Sequence, residues 1–156
     1  MSAGLPDALQ DAIARFAGNV PPKELAARSA ALSERYRGGS GSHAAIADDR
    51  DVAAYLTTRL PATYAAMAAV LGAVKQRAPH FTPVHVLDVG AGPGTASWAA
   101  TESWPQLQSI TMLDQNPHLL TTARTLAHSS PHAALGSAAN KPGAIRKTEA
   151  RSAGSV

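Results

Sequence analysis

The sequence predicts an α/β protein in which a helical N-terminal region precedes the first half of a parallel sheet. Three observations support this fold class. Apolar residues recur at helical spacing through residues 1–80. A short apolar run at residues 84–89 then leads into three closely spaced glycines. A second run at residues 109–114 is followed by another helical pattern, and alternation of strands with helices is typical of a parallel sheet.

Four helices are predicted in the N-terminal region, residues 1–80. Each has an apolar face, and a proline or an aspartate stands near each first turn. The residues that define these faces are Leu5, Leu9, Ile13 and Phe16; Leu25, Leu32 and Tyr36; Val52, Tyr55 and Leu56, with Arg59 clustered beside them; and Tyr64, Met67, Leu71 and Val74. The glycine- and serine-rich segment 37–43 predicts a flexible break between the second and third helices.

The remaining chain is predicted to form a partial sheet domain, residues 81–127, and a tail, residues 128–156. The domain contains strands at 84–89 and 109–114 and helices at about 95–103 and 116–127. The tail shows no strand pattern, is dominated by Ser, Gly, Pro and Ala, and is therefore predicted to be disordered. It accounts for the whole net charge of +3. A basic tail can contact nucleic acid, although an unstructured tail that merely contains lysines is commoner.

Composition excludes several kinds of site. The chain has no cysteine, which excludes disulfides, thiolate metal sites and cysteine-ligated iron–sulfur clusters. His128 and His132 have the spacing of a helical metal pair, but Pro131 disfavours that helix, so no metal site is predicted. We find no signal-peptide pattern and no apolar run long enough to span a membrane. We expect a cytoplasmic protein.

The segment from Asp88 to Gly94, with the sequence DVGAGPG, joins the first predicted strand to the following helix. Glycine permits positive φ and close approach of the backbone to a ligand, and the helix beyond offers unpaired N–H groups. The sequence therefore predicts a cradle for a nucleotide-like cofactor, with a turn that binds nothing as the alternative. No lysine follows Gly94, which excludes a phosphate loop, and the G-x-G-x-G spacing differs from the dinucleotide pattern.

This pattern resembles motif I of the Rossmann-like S-adenosylmethionine-dependent methyltransferases. Asp114, 20 residues after Gly94, matches the acidic residue that ends their second strand and can accept hydrogen bonds from a ribose. The resemblance implies a cofactor-binding set that comprises Asp88, Gly90, Ala91, Gly92, Pro93, Gly94, Asp114, Gln115 and Asn116. Asp88 is expected to orient the methionine end, the glycine segment to face the ribose and amino-acid parts, and Gln115 and Asn116 to lie near the adenosine. No catalytic residue is indicated, because methyl transfer depends largely on positioning.

Four segments, at residues 5–9, 25–39, 54–67 and 87–100, resemble one family in the same order, and the last of them contains the glycine motif. It is the bacterial branch of a methyltransferase-like family associated with the small ribosomal subunit, whose eukaryotic members work in mitochondria. The resemblance covers roughly residues 5–127. It implies small-subunit assembly or ribosomal RNA methylation, S-adenosylmethionine as cofactor, and ribosomal RNA or the small subunit as partner.

The sequence departs from this family's pattern near His128. The later strands and substrate loops of the catalytic domain are not found, nor are the cysteines that hold an iron–sulfur cluster in mitochondrial members. We therefore expect a truncated or frameshifted copy that keeps the cofactor half-site and is catalytically incomplete. A non-catalytic ribosome-assembly or RNA-binding factor is the main alternative, and a product without function is a third.

Overall fold

The computed structural model of the chain describes residues 4–39 and 45–143. The helices and strands are, in order, α1 (Asp7–Ala17), α2 (Pro22–Arg37), α3 (Asp49–Thr58), α4 (Leu60–Arg77), β1 (His85–Val89), α5 (Thr95–Ser103), β2 (Ser109–Asp114), α6 (Pro117–Ala127), α7 (Ala133–Gly136) and β3 (Ala139–Pro142). The predicted α/β fold class is confirmed. Most of the predicted break at 37–43 lies outside the described residues. No helix in the described ranges is long and apolar enough to cross a membrane.

The strands form one parallel sheet in the order β1-β2-β3. Leu87 of β1 lies beside Thr111 of β2, which in turn lies beside Ala139 of β3. Because parallel neighbours need a crossover connection, α5 and α6 link consecutive strands, and the carboxyl ends of all three strands meet at one edge. This arrangement corresponds to half of a Rossmann-like sheet.

The third strand corrects the sequence prediction, which placed two strands in the chain and no regular structure after Ala127. Residues 128–143 instead contain α7 and β3. The sequence of β3, ANKP, has little strand propensity, so the strand depends on backbone pairing with β2 and on burial of Leu135 from α7. Residues 144–156, with most of the predicted tail's basic residues, lie outside the described residues.

The helical region and the sheet share one hydrophobic core. Leu9, Leu32 and Leu56 of the N-terminal helices belong to the same buried cluster as Trp98 of α5 and Met112 of β2. A polar contact crosses between the two regions as well, since the Asn116 side chain donates to the carbonyl of Ile46 over 3.0 Å. The division at residue 80 therefore stays a prediction about sequence regions, because the packing is continuous across it.

A buried ionic network fixes α2 against α3. Asp51 of α3 is only 3% exposed and accepts hydrogen bonds from Arg28 over 2.8 Å and from Arg35 over 3.3 Å, both on α2. Asp48 caps the start of α3 by accepting from the Asp51 amide over 2.8 Å. Since a buried carboxylate is tolerated only when it is paired, this network sets the relative position of the two helices.

Strand β1 presents one side to the helices and the other outward. Val86 and Asp88 are half-buried, whereas Leu87 and Val89 are 63% and 43% exposed. Within the described ranges β1 pairs with β2 alone, so its second edge offers unpaired backbone groups.

We expect Gly94→Ala to lower the free energy of unfolding by about 1–3 kcal/mol. Gly94 has a φ of 83°, and an added Cβ would stand 2.9 Å from the sulfur of Met112. Gly72→Ala is the matched control, because Gly72 lies inside α4 with no atom within 4 Å of the added Cβ. The control should gain roughly 0.5–1 kcal/mol of stability. Urea unfolding measures both changes, and equal stabilities of the two variants would contradict this account of the bend.

Candidate cofactor-binding site

The glycine bend, residues 90–94, lies between β1 and α5 at the carboxyl edge of the sheet. Gly90, Gly92 and Gly94 have φ values of 73°, 55° and 83°, a region that residues with a Cβ rarely adopt. The amides of Gly90 and Ala91 donate to the carbonyl of Leu113 at the end of β2, over 2.8 and 3.0 Å. The bend is therefore tied to the neighbouring strand as soon as β1 ends.

One half of the bend is open and the other is packed. An added Cβ would meet no atom within 4 Å at Gly90 and only the Leu119 side chain, at 4.0 Å, at Gly92. At Gly94, by contrast, it would clash with Met112. The open half leaves a stretch of backbone that a ligand can approach without meeting a side chain.

Asp114 holds the bend in place. One carboxylate oxygen accepts a hydrogen bond from the Gly92 amide over 2.8 Å, and the other accepts from the Asn116 amide over 2.8 Å. The residue is only 5% exposed. A carboxylate has about four acceptor positions, so each oxygen retains one for a ligand hydroxyl.

Asp88 lies on the same side of the sheet and caps the first turn of α5. Its carboxylate accepts from the Ser97 hydroxyl over 2.7 Å and from the Ser97 amide over 3.2 Å. Burial raises the pKa of Asp88 above its ordinary value of 3.8, and the negative charge of Asp114 raises it further. The two hydrogen bonds from Ser97 act in the opposite direction and lower this pKa.

The two residues after Asp114 occupy different surroundings. Gln115 is exposed, whereas Asn116 is 1% exposed. The Asn116 oxygen caps α6 by accepting from the amides of His118 and Leu119 over 3.0 and 3.1 Å. Its nitrogen donates to Ile46. The buried Asn116 side chain thus joins the start of α6 to the loop before α3, whereas the Gln115 side chain is exposed to solvent. The predicted roles of both beside an adenosine stay predictions.

Sequence reasoning did not identify Thr95 as a site residue. This first residue of α5 is 4% exposed, and its hydroxyl has no hydrogen-bond partner. An unpaired buried hydroxyl is unfavourable, so its position directly after the bend is informative. The available sequence signal was the position of this threonine, which directly follows the last glycine of the bend.

Two tyrosines from the helical region lie within the electrostatic reach of Asp114. The guanidinium of Arg59 stacks on the Tyr36 ring, 4.4 Å from its centroid. Burial raises the pKa values of Tyr36 and Tyr55, and the charge of Asp114 adds to both increases. Tyr64 is 2% exposed and belongs to the core.

The structure assigns no metal site within the described ranges, where no three metal-ligating side chains come together. His132, one of the two histidines with the spacing of a helical metal pair, instead contacts the carbonyl of Pro105 through its ring nitrogen Nε2 over 2.9 Å.

We expect Ser97→Ala to raise the pKa of Asp88 and so to change how stability depends on pH. A group whose pKa is higher in the folded state contributes stability at pH values below its unfolded pKa, and loses it as pH rises through the folded pKa. Removing the Ser97 hydroxyl donor raises that folded pKa further. The stability loss caused by the substitution should therefore grow as pH rises from the acidic range, and then level off.

Denaturant unfolding at a series of pH values, with a ¹³C NMR titration of the Asp88 carboxyl, checks this expectation. Ser103→Ala, a serine change on the same helix, is the control and should leave the titration unchanged. A Ser97→Ala deficit that is constant with pH would contradict the assigned hydrogen bond.

We expect Asp114→Asn to lower the free energy of unfolding by about 1–3 kcal/mol, because one of the two amides that donate to the carboxylate loses its acceptor. Asp11→Asn removes a carboxylate from an exposed position on α1 and should change stability by less than about 0.5 kcal/mol. Thermal or denaturant unfolding measures both. A neutral Asp114→Asn result would show that the carboxylate does not brace the bend.

Comparison with known proteins assigns the family. The profile described as "Mitochondrial small ribosomal subunit Rsm22" matches residues 49–149. Human "Ribosome assembly protein METTL17, mitochondrial" is 32% identical over 73 residues, which make up 46% of this chain and 16% of that protein. This chain therefore matches only a small part of that relative's length. Because the matched family segment begins at α3 and includes the whole sheet, the chain belongs to the Rsm22 family of small-ribosomal-subunit proteins.

Proposed function

We propose that this chain binds S-adenosylmethionine at the glycine bend and acts in biogenesis of the small ribosomal subunit. Membership of the Rsm22 family supports the link to the subunit. The name of the human relative supports a role in ribosome assembly. The observation that carries the cofactor proposal is the open half of the bend, which Asp114 holds in place through the Gly92 amide.

The residues at the bend fit this cofactor. The backbone of Gly90 and Gly92 is accessible, as contact with the ribose and amino-acid parts requires. Asp114 retains acceptor positions for ribose hydroxyls. The unpaired Thr95 hydroxyl offers a donor and an acceptor at the helix start, beside the positive end of the α5 dipole. When bound, S-adenosylmethionine would supply a methyl group on a positively charged sulfur.

A more specific form of this proposal is that the chain contributes to methylation of ribosomal RNA. Methyl transfer requires the acceptor atom to lie in line with the sulfonium, so catalysis would depend on residues that position the acceptor. A non-catalytic assembly factor that binds the cofactor as a structural element is the alternative form. Transfer of a radiolabelled methyl group to small-subunit RNA separates the two.

The assignment to the bacterial branch and the expectation of a shortened copy stay hypotheses. Translation of the downstream DNA in all frames tests whether the copy is shortened.

We expect calorimetric titration with S-adenosylmethionine to show micromolar binding that Gly92→Arg abolishes. The arginine would need a φ of 55° and would extend into the open space above the bend. Gly72→Arg is the matched control, since it adds the same side chain to α4 at a position with no atom within 4 Å. Circular dichroism should confirm that both variants are folded.

Thr95→Val supplies a second, milder variant at the same site. Removing an unpaired buried hydroxyl should leave stability unchanged or slightly higher, whereas cofactor affinity should fall several-fold. Absence of binding by the folded wild-type chain would overturn the cofactor proposal. Binding that Gly92→Arg leaves intact would place the cofactor elsewhere.

A further inference from the structure

A polar groove lies between α2 and α3, and none of its lining residues belongs to the glycine bend. We call it the α2–α3 groove. It has a volume of about 570 Å³, in the range of small-molecule binding pockets. Its lining consists of Ser29, Ser33, Tyr36, Arg37, Thr58 and Arg59. The lining thus combines two arginines with four hydroxyl groups and contains no carboxylate, which suits an anionic ligand rich in oxygen acceptors.

Arg59 differs in its charge environment from the arginines of α2 and α3. Arg28, Arg35 and Arg50 all form ion pairs with acidic side chains. Within the described ranges Arg59 forms no ion pair, and its guanidinium is held instead over the Tyr36 ring at 4.4 Å. Because Arg59 is also exposed, its positive charge is available to a ligand.

The second arginine of the groove, Arg37, is held only by an exposed ion pair. Arg37 pairs with Glu34 over 2.9 Å, but the two side chains are about 70% exposed. Exposed ion pairs of this kind contribute little free energy, so a phosphate can replace the carboxylate at small cost.

Two of the four hydroxyl groups are hydrogen-bonded within the protein, so the hydroxyl donors left for an anion are those of Ser33 and Tyr36. Ser29 donates to the Thr58 oxygen over 3.0 Å, and Thr58 donates to the carbonyl of Ala54 over 2.6 Å. Arginine, serine, threonine and tyrosine are the side chains that commonly hydrogen-bond nucleic-acid phosphates. The buried Asp51 network holds α2 and α3 in the positions that bring these groups together.

Tyr36 relates the groove to the candidate cofactor site electrostatically. Tyr36 lines the groove and lies within the electrostatic reach of Asp114, whose charge raises the pKa of the phenol. Arg59 acts on the same phenol in the opposite direction.

We propose that the α2–α3 groove binds the backbone of single-stranded RNA, with a phosphate on Arg59 and a base stacked on the guanidinium face that Tyr36 leaves uncovered. Arginine planes and tyrosine rings are common stacking partners for unpaired bases. A concave recess of six side chains suits one strand, whereas duplex RNA is recognised across its wide minor groove. The inference rests on the proposed function, because it assigns to this groove the RNA partner that the proposed function implies.

Fluorescence anisotropy of a short labelled single-stranded oligouridine tests this assignment. Arg59→Gln should weaken binding about tenfold and reduce the magnitude of the salt slope by about one unit. Arg77→Gln is the matched control, since it removes the same charge from an exposed position at the far end of α4 and should change affinity less than twofold. Arg59→Lys keeps the charge without the planar group, so its affinity should be intermediate.

A second variant protects the test against misfolding. Ser33→Glu places a carboxylate in the groove at a helix position, so it should weaken RNA binding without removing any arginine. Equal RNA affinity of wild type, Arg59→Gln and Ser33→Glu would overturn the proposal, as would equal losses in Arg59→Gln and Arg77→Gln. Competition by inorganic phosphate or by oligoglutamate as effective as by unlabelled oligouridine would assign the groove to a free anion or an acidic protein instead.

Titration of the same variants with S-adenosylmethionine separates this inference from the proposed function. Arg59→Gln should bind the cofactor as the wild type does, while its RNA affinity falls. RNA binding that depends on Arg59 in a chain that binds no cofactor would overturn the cofactor proposal and leave the groove assigned. Cofactor binding with RNA affinity insensitive to Arg59 would do the reverse.

Discussion

The contact between the Asp114 carboxylate and the Gly92 amide is the constraint on which the site depends. It joins the end of β2 to the bend after β1, and the second oxygen of the same carboxylate fixes the amide of Asn116 at the start of α6. One buried side chain thereby sets the relative positions of two strands' carboxyl ends and a helix N-terminus. The bend can adopt three positive φ angles because glycine permits them, but the carboxylate selects which of the allowed conformations is populated.

The helical region contributes to the site more than its place in the sequence indicates. Asn116 reaches back to Ile46, and His118 contacts Asp49 over 3.2 Å, so the loop before α3 and the start of α6 are held together. Tyr36, which carries the stacked Arg59 guanidinium, packs against the core that the helical region shares with the sheet. A cofactor at the bend and a partner in the α2–α3 groove would thus act on one continuous packed unit, which is a condition for energetic coupling between two sites.

Much of this arrangement could be predicted from sequence, because local signals and the fold agree. The glycine spacing, the apolar runs before Gly90 and Asp114, and the Asn116-Pro117 helix start each predict an element that the structure contains. Strand β3 could not be predicted, since ANKP lacks strand propensity and becomes a strand only against β2. The Tyr36–Arg59 stack could not be predicted either, because it depends on packing between residues far apart in the chain.

The outward side of β1 has a consequence for how this protein behaves in solution. Leu87 and Val89 stand exposed next to backbone groups that no described strand pairs, and such an edge is a template for intermolecular β-pairing. The charged residues, prolines and bulges that commonly protect edge strands are not present within HVLDV, apart from the half-buried Asp88. Aggregation should therefore compete with folding at high protein concentration. A strand that pairs with this edge would extend the sheet, whereas repeated pairing between copies of the chain would produce an insoluble assembly.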